Sequence, residues 1–379
     1  MDKNNIQTPA ILLDLNALEK NLKKHHQMAV DSEKDIWPMI KTHKSIEIAR
    51  MQLDHGAIGF LCGTLDECEA IYETFVRNEK RNISIMYAYP VASEPNIARV
   101  VELAKNSNFY LRIDGYEQAE LLNQAGTKAD VCINYTVIVN SGLNRFGVLP
   151  GDDLKNLMQK ISHFKHIKFC GISTHPGHAY GKKDIAGIKK VAREEANIMR
   201  TAVQTLHSIG LNPRFITTGS TPTYPHVISD ELLCTFHPGN YVFMDNMQVA
   251  LECAAIEDCA LTVLATVISN PREGEYIIDA GTKCLGLDKG AHGTGKITGH
   301  GRVKNYENSI EIYSLSEEVG KIVVDESCRS SVKVGDKIEI IPNHACATAN
   351  NTNYYIGIKN GAVDRLINVD MRGNSRVKI

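Results

Sequence analysis

The sequence predicts an α/β chain built as a (β/α)8 TIM barrel followed by an all-β domain. Two patterns lead there. Up to about Leu251, eight short apolar runs alternate with segments of helical period; beyond it, seven strand-like runs follow one another with turn residues between them. A length of 379 residues, 43% hydrophobic and 23% charged, suits a soluble barrel with an accessory domain.

Residues 8–14 read as an opening strand. Residues 16–31 follow as an amphipathic helix, with Leu18, Leu22 and Met28 among charges. The barrel strands are predicted at 35–40, 57–61, 83–87, 109–113, 131–139, 169–174, 215–218 and 232–236. Helices are predicted between most of them, at 45–55, 64–76, 94–105, 116–125, 152–162 and 185–209. Gly56, Gly126 and Gly210 stand where helix C-caps are expected. The later strands are predicted at 261–269, 275–279, 309–314, 321–324, 337–341, 354–358 and 363–367, with no helix between them. The expected domains are 14–250 for the barrel and 251–379 for the all-β part, the latter joined by the N-terminal strand 1–13.

A formal net charge of -2 argues against nucleic acid or an anionic membrane as partner. No apolar run reaches transmembrane length, and the opening Met1-Asp2-Lys3-Asn4-Asn5 lacks the apolar core of a signal peptide. Ten cysteines include no C-x-x-C pair, and Cys132, Cys170 and Cys234 lie in apolar runs. They read as reduced interior thiols of a cytoplasmic protein.

Barrel enzymes carry their sites on the loops after the strands. Here Lys41 closes the first strand, Arg145 follows the fifth, and His175 closes the sixth. Lysine changes charge readily when partly desolvated, so it can serve as base or amine nucleophile. The seventh strand runs into Gly219-Ser220-Thr221 and the eighth into His237-Pro238-Gly239-Asn240-Tyr241. These loops supply bare backbone N–H groups and hydroxyls, the parts of a phosphate cradle. Singly each is ordinary turn chemistry; two at adjacent strand ends, on one rim with Lys41, Arg145 and His175, make a site. A phosphate site beside a rim lysine suggests pyridoxal phosphate held through that lysine. His175 is then suited to lie against the cofactor ring and Arg145 to bond its phenolic oxygen.

With these residues the chain resembles the fold-type III pyridoxal phosphate enzymes, and among them the D-serine dehydratase/D-threonine aldolase family. The resemblance runs through Thr8-Pro9-Ala10, Lys41-Thr42-His43-Lys44, Thr64 to Glu69 and Gly142-Leu143-Asn144-Arg145-Phe146-Gly147. It continues through Gly219-Ser220-Thr221, His237 to Phe243, Asp279-Ala280-Gly281 with Lys283, and Pro342-Asn343-His344-Ala345-Cys346. It implies that Lys41 binds the cofactor and acts as the catalytic base. Gly219, Ser220, Gly239 and Asn240 would contact the phosphate, with Thr221 and Tyr241 beside them. A homodimer with the active site near its interface and a small D-amino acid substrate are also implied. His344 and Cys346, separated by one residue, can face one way on an extended segment and share a metal ion, a pairing that suits zinc. In this setting they resemble the dehydratases' zinc pair, which favours loss of water from a D-β-hydroxy amino acid to give a keto acid and ammonia. A metal-assisted D-threonine aldolase, a racemase and a non-catalytic pyridoxal phosphate carrier are the alternatives.

The chain departs from the family at Trp37 and Met39, where Arg and His are usual, which predicts a less polar pocket. Asn140 stands where an acid is common, and Val319 where a His often follows. Gly290-Ala291-His292-Gly293-Thr294-Gly295-Lys296 imitates a P-loop, but Ile297 replaces the Ser or Thr that would hold magnesium. It is expected to be a plain glycine loop.

Overall fold

The structure is a computed structural model and describes residues 3–290, 297–306 and 309–373. The P-loop-like stretch lies almost wholly outside them.

The barrel is present, with eight parallel strands. In sheet order they are Asp35–Ile36, Thr235–Phe236, Phe215–Thr218, Ile167–Ser173, Ile133–Ile138, Asn108–Ile113, Ser84–Tyr87 and Gly59–Cys62. Between the two edge strands the ladder thins to a few bonds. Ile58 donates to the Ile36 carbonyl (3.4 Å), Leu61 donates to that of Pro38 (3.0 Å), and Met39 bridges Leu61. The first strand is shorter than the predicted 35–40 because Pro38 has no N–H to extend a ladder. Lys41 consequently sits in a 3-10 turn, Ile40–Thr42, rather than on a strand.

The helices fall where periodicity puts them. Helix Ile185–Ser208 opens on Asp184, whose carboxylate accepts from the Gly187 N–H. It buries Ile188, Val191, Ala192, Ala196, Met199, Val203 and Leu206 along one face. The predicted helix 64–76 is Leu65–Ile71 continued as a π-turn, Tyr72–Asn78. Gly126 is no cap: its helix runs Tyr116–Ala129 and closes at left-handed Asp130. A Cβ at Gly126 would lie 2.6 Å from the Val131 carbonyl and 2.9 Å from His166, so glycine there permits close packing. Inside the barrel, Trp37 packs its ring against Phe215 and Tyr110, at 5.3 and 5.8 Å between centroids.

The second sheet has nine strands, ordered Glu275–Ile278, Gly320–Val324, Ile310–Leu315, Arg302–Val303, Lys337–Ile341, Leu261–Arg272, Ala10–Asp14, Tyr354–Lys359 and Ala362–Asn368. The N-terminal strand lies inside it, antiparallel to Leu261–Arg272 and parallel to Tyr354–Lys359. Among the described residues two one-turn α-helices, Thr282–Leu285 and Ala345–Ala349, and a 3-10 stretch, Glu326–Ser331, interrupt a region predicted to have none. Pieces this short carry no readable period. Among the described residues no helix is long and apolar enough to cross a membrane, and all ten cysteines are free thiols.

Candidate active site

The strands' carboxyl ends open into a cavity of about 340 Å³. Lys41, Arg145, His175, Gly219, Ser220, Thr221, Gly239, Asn240, His344 and Cys346 all line it. The Tyr241 ring does not; it is fully buried behind Asn240, with its hydroxyl 2.7 Å from His26 Nε2. Only its backbone stays with the loop, donating to Thr221 Oγ1 at 3.1 Å.

The Lys41 turn is held from behind. Gly63 faces it so closely that a Cβ there would sit 2.9 Å from Lys41 Cβ. The Gly63 N–H donates to Glu67 Oε2 at 2.6 Å, and Glu67 Oε1 pairs with Lys44 Nζ at 3.1 Å. Both partners of that ion pair are buried.

Across the cavity, Gly219 (φ +148°) and Gly239 leave the backbone bare. A Cβ at Gly219 would stand 2.6 Å from the His237 nitrogen, and one at Gly239 would stand 3.2 Å from the Met39 carbonyl oxygen. Among the described residues the Ser220 and Thr221 N–H groups take no acceptor. Such a glycine cradle with free N–H groups fits a phosphate ester. Arg145 lies over the Tyr89 and Phe146 rings, at 5.9 and 5.3 Å. Its loop is tied by Asn140, whose side-chain oxygen accepts from the Gly142 and Asn144 N–H groups.

Two of the cavity histidines, His175 and His237, are fixed in one tautomer. A backbone carbonyl can only accept, so Nδ1 carries the proton in His175, 2.9 Å from the Gly219 oxygen, and in His237, 2.9 Å from that of Trp37. Burial, then Lys41, pulls His175 down to about 3. Burial, then Arg112, pulls His237 well below its ordinary value. Both stay neutral, and among the described residues the buried His237 Nε2 has no partner. Arg112, from the fourth strand, is a buried guanidinium that burial lowers to about 9. Its neighbours are Met86 Sδ (3.4 Å) and Thr217 Oγ1 (3.5 Å), and among the described residues it forms no ion pair. An orphaned acceptor and an uncompensated cation beside a phosphate cradle fit an anionic, hydrogen-bonding cofactor such as pyridoxal phosphate.

The His344–Cys346 segment is not extended. His344 is the N-cap of helix Ala345–Ala349, and Cys346 sits in its first turn. The two side chains still meet. Burial opposes charge on His344, but Cys346 and Asp288 outweigh it and hold the imidazole well above its usual range. Burial likewise raises the Cys346 thiol, yet His344 and Lys41 bring it below its ordinary value. His344 Nδ1 lies 3.1 Å from Asp288 Oδ2, which leaves Nε2 to face the Cys346 thiol. A readily ionised thiol beside an imidazole is a donor set for a borderline-soft ion such as zinc. Among the described residues no group of three or more His, Cys, Asp or Glu is placed to hold a metal, so this is a two-donor set. Asp245 supports it, accepting from the Ala345 N–H (2.9 Å) and from Asn240 Nδ2 (2.6 Å).

Sequence reasoning passed over several of the lining residues. Arg112 is near the end of the fourth strand, where the strand-end rule would have found it; His237 is read from the sequence only as the first residue of the eighth-strand loop, without a role. Tyr180 is in the turn Gly177–Gly181 that follows His175. Nothing in the sequence marks Asp288. Trp37 does not reach the cavity wall, and of the four family departures only Met39 lines it.

Residues 13–246 match the model of the alanine racemase N-terminal domain, and residues 260–358 that of the putative serine dehydratase domain. The chain is 30% identical to a D-serine dehydratase of Dictyostelium discoideum, over 92% of each chain. It is 25% identical to a 3-hydroxy-D-aspartate aldolase of Paracoccus denitrificans, over 98% of this chain and 94% of that one. The crystal structure of D-threonine aldolase from Filomicrobium marinum superposes with a TM-score of 0.88 at 25% identity, covering 99% of this chain and 97% of that one.

Proposed function

The chain belongs to the alanine racemase N-terminal-domain family of fold-type III pyridoxal phosphate enzymes, in its D-serine dehydratase/D-threonine aldolase branch, and from that premise we propose a metal-assisted D-serine dehydratase. It is a lyase acting on D-amino acids. The observation that carries the finer reading is the join between base and metal pair: Cys346 Sγ lies 3.3 Å from the hydroxyl of Thr42, next to Lys41.

Pyridoxal phosphate, when bound, supplies an electron sink for the charge left at the α-carbon. Lys41 would hold it, Gly219, Ser220, Thr221, Gly239 and Asn240 would take its phosphate, and His175 and Arg145 would stand beside it. Zinc at His344 and Cys346 would supply Lewis acidity to the departing β-hydroxyl. The Lys41 amine takes the α-proton as general base. Arg112 and Arg145 keep the site cationic and favour the substrate carboxylate. An aldolase must instead remove the β-hydroxyl proton, and Met39, the apolar residue on the cavity wall two positions before Lys41, offers no base for it. The product of dehydration hydrolyses to a keto acid and ammonia. Assembly as a homodimer belongs to the same reading and is measured by light scattering.

The test is an absorbance spectrum of the purified protein, followed during addition of D-serine and D-threonine with and without chelator. The expected result is a cofactor band lost in Lys41→Ala, with keto acid and ammonia formed until the metal is removed. Glycine and an aldehyde would move the assignment to the aldolase. A racemised substrate unaffected by chelation would move it to a racemase, and a band without turnover to a carrier.

A further inference from the structure

Behind the cavity the fold buries a row of polar side chains that this chemistry does not use. His43 Nδ1 accepts from the Ser45 N–H at 3.1 Å, so the neutral ring carries its proton on Nε2 and donates it to Gln52 Oε1 at 3.3 Å. Gln52 Nε2 donates to the Tyr241 hydroxyl oxygen at 3.0 Å. With its oxygen accepting there, the hydroxyl donates its own hydrogen bond to His26 Nε2 at 2.7 Å. Burial, the main cause in each case, brings both His43 and His26 down to about 3, so both are neutral and each link has one direction. Gln52, His43 and Tyr241 have no exposed surface.

The ends of this row give it meaning. His43 stands two residues past Lys41, and Tyr241 directly follows Asn240 while its backbone N–H holds Thr221 Oγ1. The row thereby joins the ends of the first, seventh and eighth barrel strands through helix Ile46–Asp54. Those three ends are the ones that carry the lysine and the phosphate cradle.

We propose that Tyr241 is a positioning residue, acting through Gln52 and His43 to keep the Lys41 turn in register with the two phosphate loops. This rests on the assignment of Lys41 and those loops to pyridoxal phosphate. Loss of the hydroxyl strands the Gln52 donor and the His26 acceptor in a site closed to water, and the turn is free to shift. The Tyr241 ring, 5.0 Å from that of His25 and 5.8 Å from that of His26, would keep its packing without the hydroxyl.

The experiment compares Tyr241→Phe, Gln52→Leu and their double variant with Tyr224→Phe. Tyr224 is an equally buried tyrosine whose hydroxyl donates to the His25 carbonyl at 2.7 Å, outside the row. Cofactor dissociation is followed by absorbance and fluorescence, kcat and KM with D-serine, and folding by thermal midpoint. In the first two variants the cofactor should dissociate about tenfold more readily and kcat should fall by about the same factor. KM should stay unchanged, and the double variant should be no worse than either single. Tyr224→Phe should move the thermal midpoint alone. If Tyr241→Phe behaves like Tyr224→Phe, or if the losses multiply in the double variant, the proposal falls. Should Tyr241→Phe not fold, Gln52→Leu with unaltered cofactor affinity and kcat overturns it as well. A wild type lacking a Lys41-dependent band defeats the underlying assignment and the proposal together. A wild type with the band and indifferent variants defeats the proposal alone.

Discussion

The Lys44–Glu67 pair offers the sharpest test of how this site is held. Lys44 Nζ and Glu67 Oε1 are 3.1 Å apart, with side chains 7% and 0% exposed. Removing one partner leaves the other charge buried and uncompensated, which costs about 3–5 kcal/mol. In Glu67→Gln the new amide oxygen still accepts from the Gly63 N–H, and Lys44 keeps its bond to the Gly373 carbonyl at 2.7 Å. The loss should therefore lie near the lower bound, about 3 kcal/mol. At about 2 °C or less per kcal/mol for a chain longer than 250 residues, this lowers the thermal midpoint by at most about 6 °C. Glu67→Leu with Lys44→Met removes both charges at once, and the double variant should recover most of what either single loses. Urea unfolding of wild type, Glu67→Leu, Lys44→Met and their double variant gives the coupling directly, with Glu67→Gln measured beside them. A loss below about 1 kcal/mol in Glu67→Gln, or simple addition in the double variant, would refute the argument that this pair is closed to water. Activity should fall in Glu67→Leu even well below the midpoint, because that variant also removes the acceptor that holds Gly63 against Lys41.

Other perturbations follow from the same geometry. Gly219→Ala places a Cβ 2.6 Å from the His237 nitrogen at φ +148°, so cofactor affinity measured by absorbance titration should fall by at least about tenfold. Arg112→Met removes a buried cation that has no carboxylate partner among the described residues. The apo-protein's thermal midpoint should rise while binding of cofactor and substrate weakens, and a fall in the midpoint would contradict the reading. Cys346→Ser should lower zinc content measured by elemental analysis while the cofactor band persists. Burial depresses His25 to about 4, so the unfolded chain takes up a proton that the native state refuses. Its stabilisation is complete above the unfolded value of about 6.5 and is lost as pH falls toward 4, amounting to about 2 kcal/mol lost by about pH 5. His25→Leu should flatten that acid limb in urea melts. Glu195 has the opposite sign: burial raises its carboxyl, so its contribution declines as pH rises, and Glu195→Gln should stabilise the protein at neutral pH.

The barrel, the all-β sheet and the gathering of Lys41, Arg145, His175 and the two glycine loops on one rim were legible in the sequence. Periodicity is local, and in a parallel barrel every strand must deliver its carboxyl end to the same side. Which way a side chain leaves that rim is not local. Asn240 faces the cavity, while the ring of Tyr241, its neighbour, is drawn behind it by Gln52 and His26, residues nearly two hundred or more positions away in sequence. Periodicity also overreached: Gly126 looked like a cap, but contacts with Val131 and His166 let its helix continue. The tautomers of His175 and His237 depend on carbonyls brought in by neighbouring strands. Asp288 meets His344 only because two distant loops of the second sheet converge. What the chain could state alone was which residue types stand at strand ends; their protonation, direction and partners were decided by tertiary packing, since each depends on atoms that sequence order does not bring together.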